Sequence, residues 1–117
     1  MTQHDDAVRL RHMVDHARLA VRFSGGRKRE ELDTDDLYRL AMIRAVEVVG
    51  EAASSLSPQF RVRYSDIPWV EIIATRNRLI HGYDQINADI LWDILQIDLP
   101  PLLGRLEEIL SEDFGIK

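Results

Sequence analysis

The chain reads as an all-α protein, an antiparallel four-helix bundle, and three observations lead there. Apolar residues recur at helical spacing in four segments. Those segments are separated by Ser24-Gly25-Gly26, Ser57-Pro58 and Gly82, residues that end helices or turn the chain. No repeat, heptad series, low-complexity tract or Gly-rich phosphate loop interrupts the pattern. At 117 residues the expectation is one domain, residues 1–117, with a core thin enough to welcome a dimer interface.

The first helix is expected over residues 4–23, with Val8, Met13, Ala17, Ala20 and Val21 near one face. The basic run Arg27-Lys28-Arg29 follows its Gly-Gly stop. The second helix is expected to start at Asp33 as cap, with Asp36 at the third helical position and Leu32 and Leu37 as a hydrophobic staple. It runs through Leu40, Ala41, Ile43, Val46, Val48, Val49, Ala52 and Ala53 to about Leu56, apolar on more than one face. Gly50, Ala52 and Ala53 permit a close neighbour. Ser57-Pro58 breaks the chain, and 61–64 is read as a loop or short turn. The third helix starts near Asp66 or Ile67, with Pro68 in its first turn, where a missing N–H costs nothing. Trp69, Ile72, Ile73 and Ile80 form its apolar side, and Gly82 ends it. Asn87 caps the fourth helix, which Pro100-Pro101 kinks or splits before it ends near residue 112.

Composition narrows the function. There is no cysteine, so neither a disulfide framework nor a thiolate metal site is possible. No apolar run is long enough to span a bilayer, and the polar, acidic start is wrong for a signal peptide, so a soluble cytoplasmic protein is expected. Net charge is −5, which argues against a nucleic-acid partner. Distribution counters the sum. Of 15 basic residues only Lys28 and Lys117 are lysine, leaving 13 arginines, the residue suited to bidentate phosphate contact. A genome rich in arginine codons gives the same count.

Chemistry concentrates in Arg76-Asn77-Arg78-Leu79-Ile80-His81-Gly82-Tyr83. A helix ending at Gly82 puts His81 in the last turn, where the dipole raises its pKa, while Arg76 and Arg78 lower it. A histidine so balanced suits general acid–base work. Arg76 lies five residues away, about 140° around the helix, whereas Asn77 shares the histidine face. These groups fit RNA cleavage, in which the 2′-hydroxyl is an internal nucleophile. A base takes its proton and a cation stabilises the phosphorane-like oxygens. His81 and Arg76 match those roles, with Asn77 in support. No metal or cofactor is called for. His12 and His16 have zinc spacing but no third ligand. Arg44, Arg78, Arg61 and Arg63 are candidate RNA contacts, along with the 27–29 run. Trp69 reads as core rather than as a base-stacking platform.

Four stretches in order resemble the HepT-like ribonuclease toxins of the HEPN superfamily: Gly50-Glu51-Ala52-Ala53, Ile67-Pro68-Trp69, the octet above, and Asp98-Leu99-Pro100. The octet matches the family signature at Arg76, Asn77, His81 and Tyr83. The resemblance implies a HEPN fold, a homodimer with its cleft at the interface, and metal-independent endoribonuclease activity. It also implies a cognate minimal nucleotidyltransferase antitoxin that adenylylates Tyr83. A dimer would pool two copies of Arg76, Asn77 and His81, and the broad apolar surface of the second helix offers an interface; burial within one chain is the alternative. Two further readings stand beside the toxin: a non-catalytic HEPN module that binds a nucleotidyltransferase partner or nucleotide, and a structural dimerisation domain.

Overall fold

The computed structural model describes residues 3–79 and 86–115, with the side chains described from Asp5 onward. Helix α1, Gln3–Ser24, buries Leu10, Met13, Val14, Ala17 and Ala20. These residues recur three or four apart, so they form one stripe. Val8, expected in that stripe, lies at its exposed edge. Gly26 adopts a positive φ of 77° just past the helix, a conformation that favours glycine.

The next turn corrects the sequence reading. A short helix α2, Glu31–Thr34, intervenes, and α3 spans Asp36–Ser55 with Asp35 as its cap. The Asp35 carboxylate accepts a hydrogen bond from Tyr38 N at 3.0 Å. Asp33 instead pairs with Arg29 at 2.7 Å. With the cap two residues later, the staple positions become Thr34 and Arg39, and neither is apolar. Leu32 is accordingly buried, while Leu37 stands 83% exposed.

Residues 61–64 were expected as a loop or short turn after the Ser57-Pro58 break; instead helix α4, Pro58–Arg63, starts at that break and takes in Arg61 and Arg63. Ser57 caps it by accepting from Phe60 N, and Pro58 occupies the first turn. Ser57 also donates its hydroxyl to Asp6 Oδ2 at 2.7 Å and its N–H to Asp6 Oδ1 at 2.8 Å. Phe60 packs beside Tyr64, Trp69 and Phe114.

The third bundle position is two short helices, α5 (Trp69–Ile73) and α6 (Thr75–Leu79). Pro68 is the cap of α5, one residue outside it, rather than part of its first turn. At the junction the Thr75 hydroxyl donates to Glu71 O at 2.9 Å, a side-chain bond that competes with the backbone ladder. The expected stop at Gly82 and the apolar Ile80 lie outside the described residues.

Asn87 caps α7, Ala88–Asp93, as expected, its Oδ1 accepting from Ile90 N at 3.1 Å. A π-helical turn, Ile94–Asp98, leads into α8, Leu99–Phe114. The irregularity thus falls just before Pro100-Pro101. Neither proline has an N–H to return to the preceding turn, and their rings crowd its carbonyls. Gly115, at φ 65°, terminates α8.

These parts make the expected all-α bundle, with no strand element among the described residues. Its antiparallel sense is fixed by contacts. The end of α1 meets the start of α3 through Tyr38 Oη donating to Ser24 Oγ at 2.7 Å. Arg18 meets Glu107 at 2.8 Å, and Asp66 meets Arg105 at 2.8 Å. No helix of the described residues is long and apolar enough to cross a membrane.

Candidate functional site

Helix α6 is held by its two ends. Thr75 and Leu79 are buried, four residues apart on one face, so the three residues between them turn outward. Arg76, Asn77 and Arg78 are all exposed. His81 and Tyr83 lie outside the described residues.

Arg76 borders a small recess of about 110 Å³ against α3, walled by Glu47, Gly50, Glu51 and Ile73. Gly50 makes this approach possible. A Cβ there would lie 3.1 Å from the backbone oxygen of Ile72, too close for comfort. Glu51 forms an ion pair with Arg44 at 3.6 Å. Arg44 and Arg76 therefore flank the same acidic wall. Glu47 was not foreseen as part of this wall, although its spacing from Glu51, one helical turn on the same face, is a signal the sequence carries.

Beside this recess α3 turns an apolar strip to solvent. Leu37 is 83% exposed and Leu40 59%, and the exposed Ala41 and half-buried Val48 continue the strip past Arg44. Val46, Val49, Ala52 and Ala53 are buried on the other side. The excess apolar surface of α3 thus divides between the core and an open face.

The other candidate arginines are not brought to this place. Arg78 lies on the opposite flank of α6 and reaches Asp98 at 3.9 Å, because two residues are about 200° apart on a helix. Arg61 and Arg63 belong to α4, where Arg63 pairs with Asp113 at 3.2 Å. Arg27 is bound to Asp35 at 3.0 Å, and Arg29 to Asp33 and Asp89, each at 2.7 Å. These hydrogen bonds raise the Arg29 pKa, the one from Asp89 most. The carboxyl of Asp35 is held below its ordinary value, first by the Tyr38 N–H and then by Arg27. Arg105 does the same to Asp66. Trp69 is core, as expected, with its indole N–H donating to Tyr64 O at 3.0 Å. His16 Nδ1 lies 2.9 Å from His12 O. Among the described residues no three His, Asp or Glu side chains converge.

Among the described residues Arg76 makes no ion pair, unlike Arg44, Arg63 and Arg78. It is an exposed cation beside Glu47 and Glu51, whose flank of α3 borders the strip at Arg44 and Val48.

Comparison with known proteins identifies the family of the chain. A family model described as "Ribonuclease HepT-like" matches residues 13–109. The "Putative RNase TTE0752" of Caldanaerobacter subterraneus subsp. tengcongensis is 31% identical over 104 residues, 89% of this chain and 93% of that protein. The "Putative RNase MJ1380" of Methanocaldococcus jannaschii is 31% identical over 107 residues, 92% of this chain and 98% of the other. The "Probable ribonuclease HepT" of Thermococcus cleftensis is 34% identical over 80 residues, 68% of this chain and 73% of the other. No solved structure matches.

Proposed function

The chain belongs to the HepT-like ribonuclease family, and from that premise we propose that it is a metal-independent endoribonuclease, the toxin of a toxin–antitoxin pair. The observation that carries the reading is Arg76, exposed beside the open apolar face of α3. A second copy docked through that face brings a second Arg76 to the same cleft. The pair would supply local positive charge that the −5 total conceals.

In this cleft a ribose 2′-hydroxyl attacks the adjacent phosphorus. The 2′-O–P bond forms as the P–O5′ bond breaks. His81 removes the 2′ proton, and an imidazolium, from the same or the paired His81, protonates the departing 5′ oxygen. Arg76 faces the non-bridging oxygens as their charge grows, and Asn77 orients the imidazole or a phosphate oxygen. The products are a 2′,3′-cyclic phosphate and a 5′-hydroxyl. Tyr83, two residues from His81, is the acceptor of AMP from a cognate minimal nucleotidyltransferase antitoxin. Each AMP adds negative charge and bulk where RNA phosphate must enter.

A second reading, a non-catalytic module that holds a nucleotidyltransferase or nucleotide, draws on Glu47 and Glu51. Carboxylates on the wall beside Arg76 oppose phosphate, so they favour the protein partner over the nucleotide within this reading. One experiment separates the two. Purified protein is incubated with cellular RNA in EDTA, beside His81→Ala and Arg76→Lys. Cleavage leaving cyclic phosphate ends is expected for the wild type only, since an ammonium cannot reproduce the guanidinium fork. A folded wild type that leaves RNA intact would support the binding module instead. Co-expression with the nucleotidyltransferase should add AMP to Tyr83 and silence cleavage, and Tyr83→Phe should escape that control.

A further inference from the structure

Helix α1 packs on α3 and α8, and α3 packs on α5 and α6. Between α5–α6 and the rod formed by the π turn and α8, the bundle is parted by a half-open groove of about 850 Å³. Val46 and Val49 of α3 form its floor, Ile72 one wall, and Ile94, Ile97 and Leu102 the other. Val49 and Leu40 are nine residues apart on α3, about 180° around the helix, so this groove faces away from the strip beside Arg76.

Two ion pairs mark its ends, Asp66 with Arg105 and Arg78 with Asp98. At 1.5 Å per residue, the seven residues from 98 to 105 span roughly 10 Å, two helical turns. Both arginines are thus already paired with carboxylates. Glu71, on the rim, makes no ion pair among the described residues. The uncompensated charge of the groove is therefore negative and its interior is apolar. A polyanion is disfavoured there. Ile97, on the lip, is 64% exposed, a large apolar group left in water.

We infer that this groove receives an amphipathic helix of a partner protein, with an apolar stripe bordered by lysine or arginine. The stripe fills the trench between two helices as a further helix of the bundle would, and the basic border meets Glu71. The inference stands apart from the ribonuclease reading, because it concerns the opposite face of α3.

The test is titration of the isotope-labelled full chain with a helical peptide of about 14 residues, leucines on one face and lysines beside them, followed by amide NMR. Saturable shifts at Ile72, Ile97 and Leu102 are expected. Ile97→Asp should weaken binding about tenfold or more, whereas Val70→Asp, exposed and outside the groove, should not. Glu71→Lys should reverse the preference towards a peptide bordered by glutamates, a result that does not depend on the Ile97 variant folding. Equal binding of both peptides to wild type and Glu71→Lys would overturn the inference. So would shifts elsewhere, groove shifts caused by a short RNA and not by the peptide, or groove-mediated self-association abolished by Ile97→Asp.

Discussion

Leu40→Asp tests whether the open face of α3 builds the active cleft. Leu40 is 59% exposed, so within one chain the substitution should change stability by less than about 0.5 kcal/mol. In a two-fold dimer made through this face each substitution is felt twice. Burying a leucine side chain fully is worth about 1.5–3 kcal/mol, so the exposed share is worth about 0.9–1.8 kcal/mol per copy. Doubling gives about 1.8–3.5 kcal/mol, which raises the dimer dissociation constant roughly 20- to 400-fold before any cost of burying two carboxylates. Sedimentation over a concentration series measures the constant, and RNA cleavage follows in the same samples. The variant should lose activity in step with its loss of dimer and keep its monomer melting behaviour. A variant that remains a tight dimer would refute the interface. A well-folded monomer that cleaves at the wild-type rate would refute the composite cleft.

Ser57→Ala removes both the cap of α4 and a donor to the buried Asp6 carboxylate. Urea unfolding should show a loss of about 2–4 kcal/mol, and Ser57→Thr should recover most of it. Gly50→Val places methyl groups beyond a Cβ position already 3.1 Å from Ile72 O. Overpacking should cost about 1–3 kcal/mol on thermal melting and displace α5 and α6, so cleavage should fall with Arg76 itself intact. Asp66 and Asp35 have carboxyls held low in the folded state by Arg105 and by the Tyr38 N–H. Their stabilisation is present above the unfolded aspartate value, about 3.9, and is lost as pH falls through the depressed folded value. The urea midpoint should therefore drop in acid, and Asp66→Asn with Asp35→Asn should flatten that slope.

The long elements were legible because their signals are local. The stripe of α1, the Asn87 cap and the disturbance at Pro100-Pro101 need only the residues near them. The cap of α3 was misplaced because Asp33, Asp35 and Asp36 compete within four residues. The choice depends on backbone angles at Asp35 and on which carboxylate Arg29 draws away. Helix α4 was missed although Ser57-Pro58 is itself a start signal, since six residues show little periodicity. What secures α4 is remote: Asp6 lies 51 residues earlier. The octet singled out Arg76, but the sequence could not say which of Arg44, Arg78, Arg61 and Arg63 would share its flank of the bundle. Their ends of the bundle are set by tertiary contacts such as Arg63 with Asp113.

The arginine count and the acidic total pull in opposite directions, and the ion pairs reconcile them. Arg18, Arg27, Arg29, Arg39, Arg63, Arg78 and Arg105 each meet a carboxylate. Most of these pairs are exposed, so they add little stability, but each removes a cation from the pool that attracts phosphate. Arginine abundance is therefore a poor guide to RNA binding in this chain. What distinguishes Arg76 is position: a guanidinium with no ion pair among the described residues, at the margin of an apolar strip that water would rather lose. An acidic monomer would give such a residue little field to work with. Docking two strips would bring two of them together and exclude water between the chains, so each charge would act in a medium of lower dielectric. On this argument the affinity for RNA should rise with dimerisation rather than with net charge. Neutralising distant acids should then do less for cleavage than restoring Leu40.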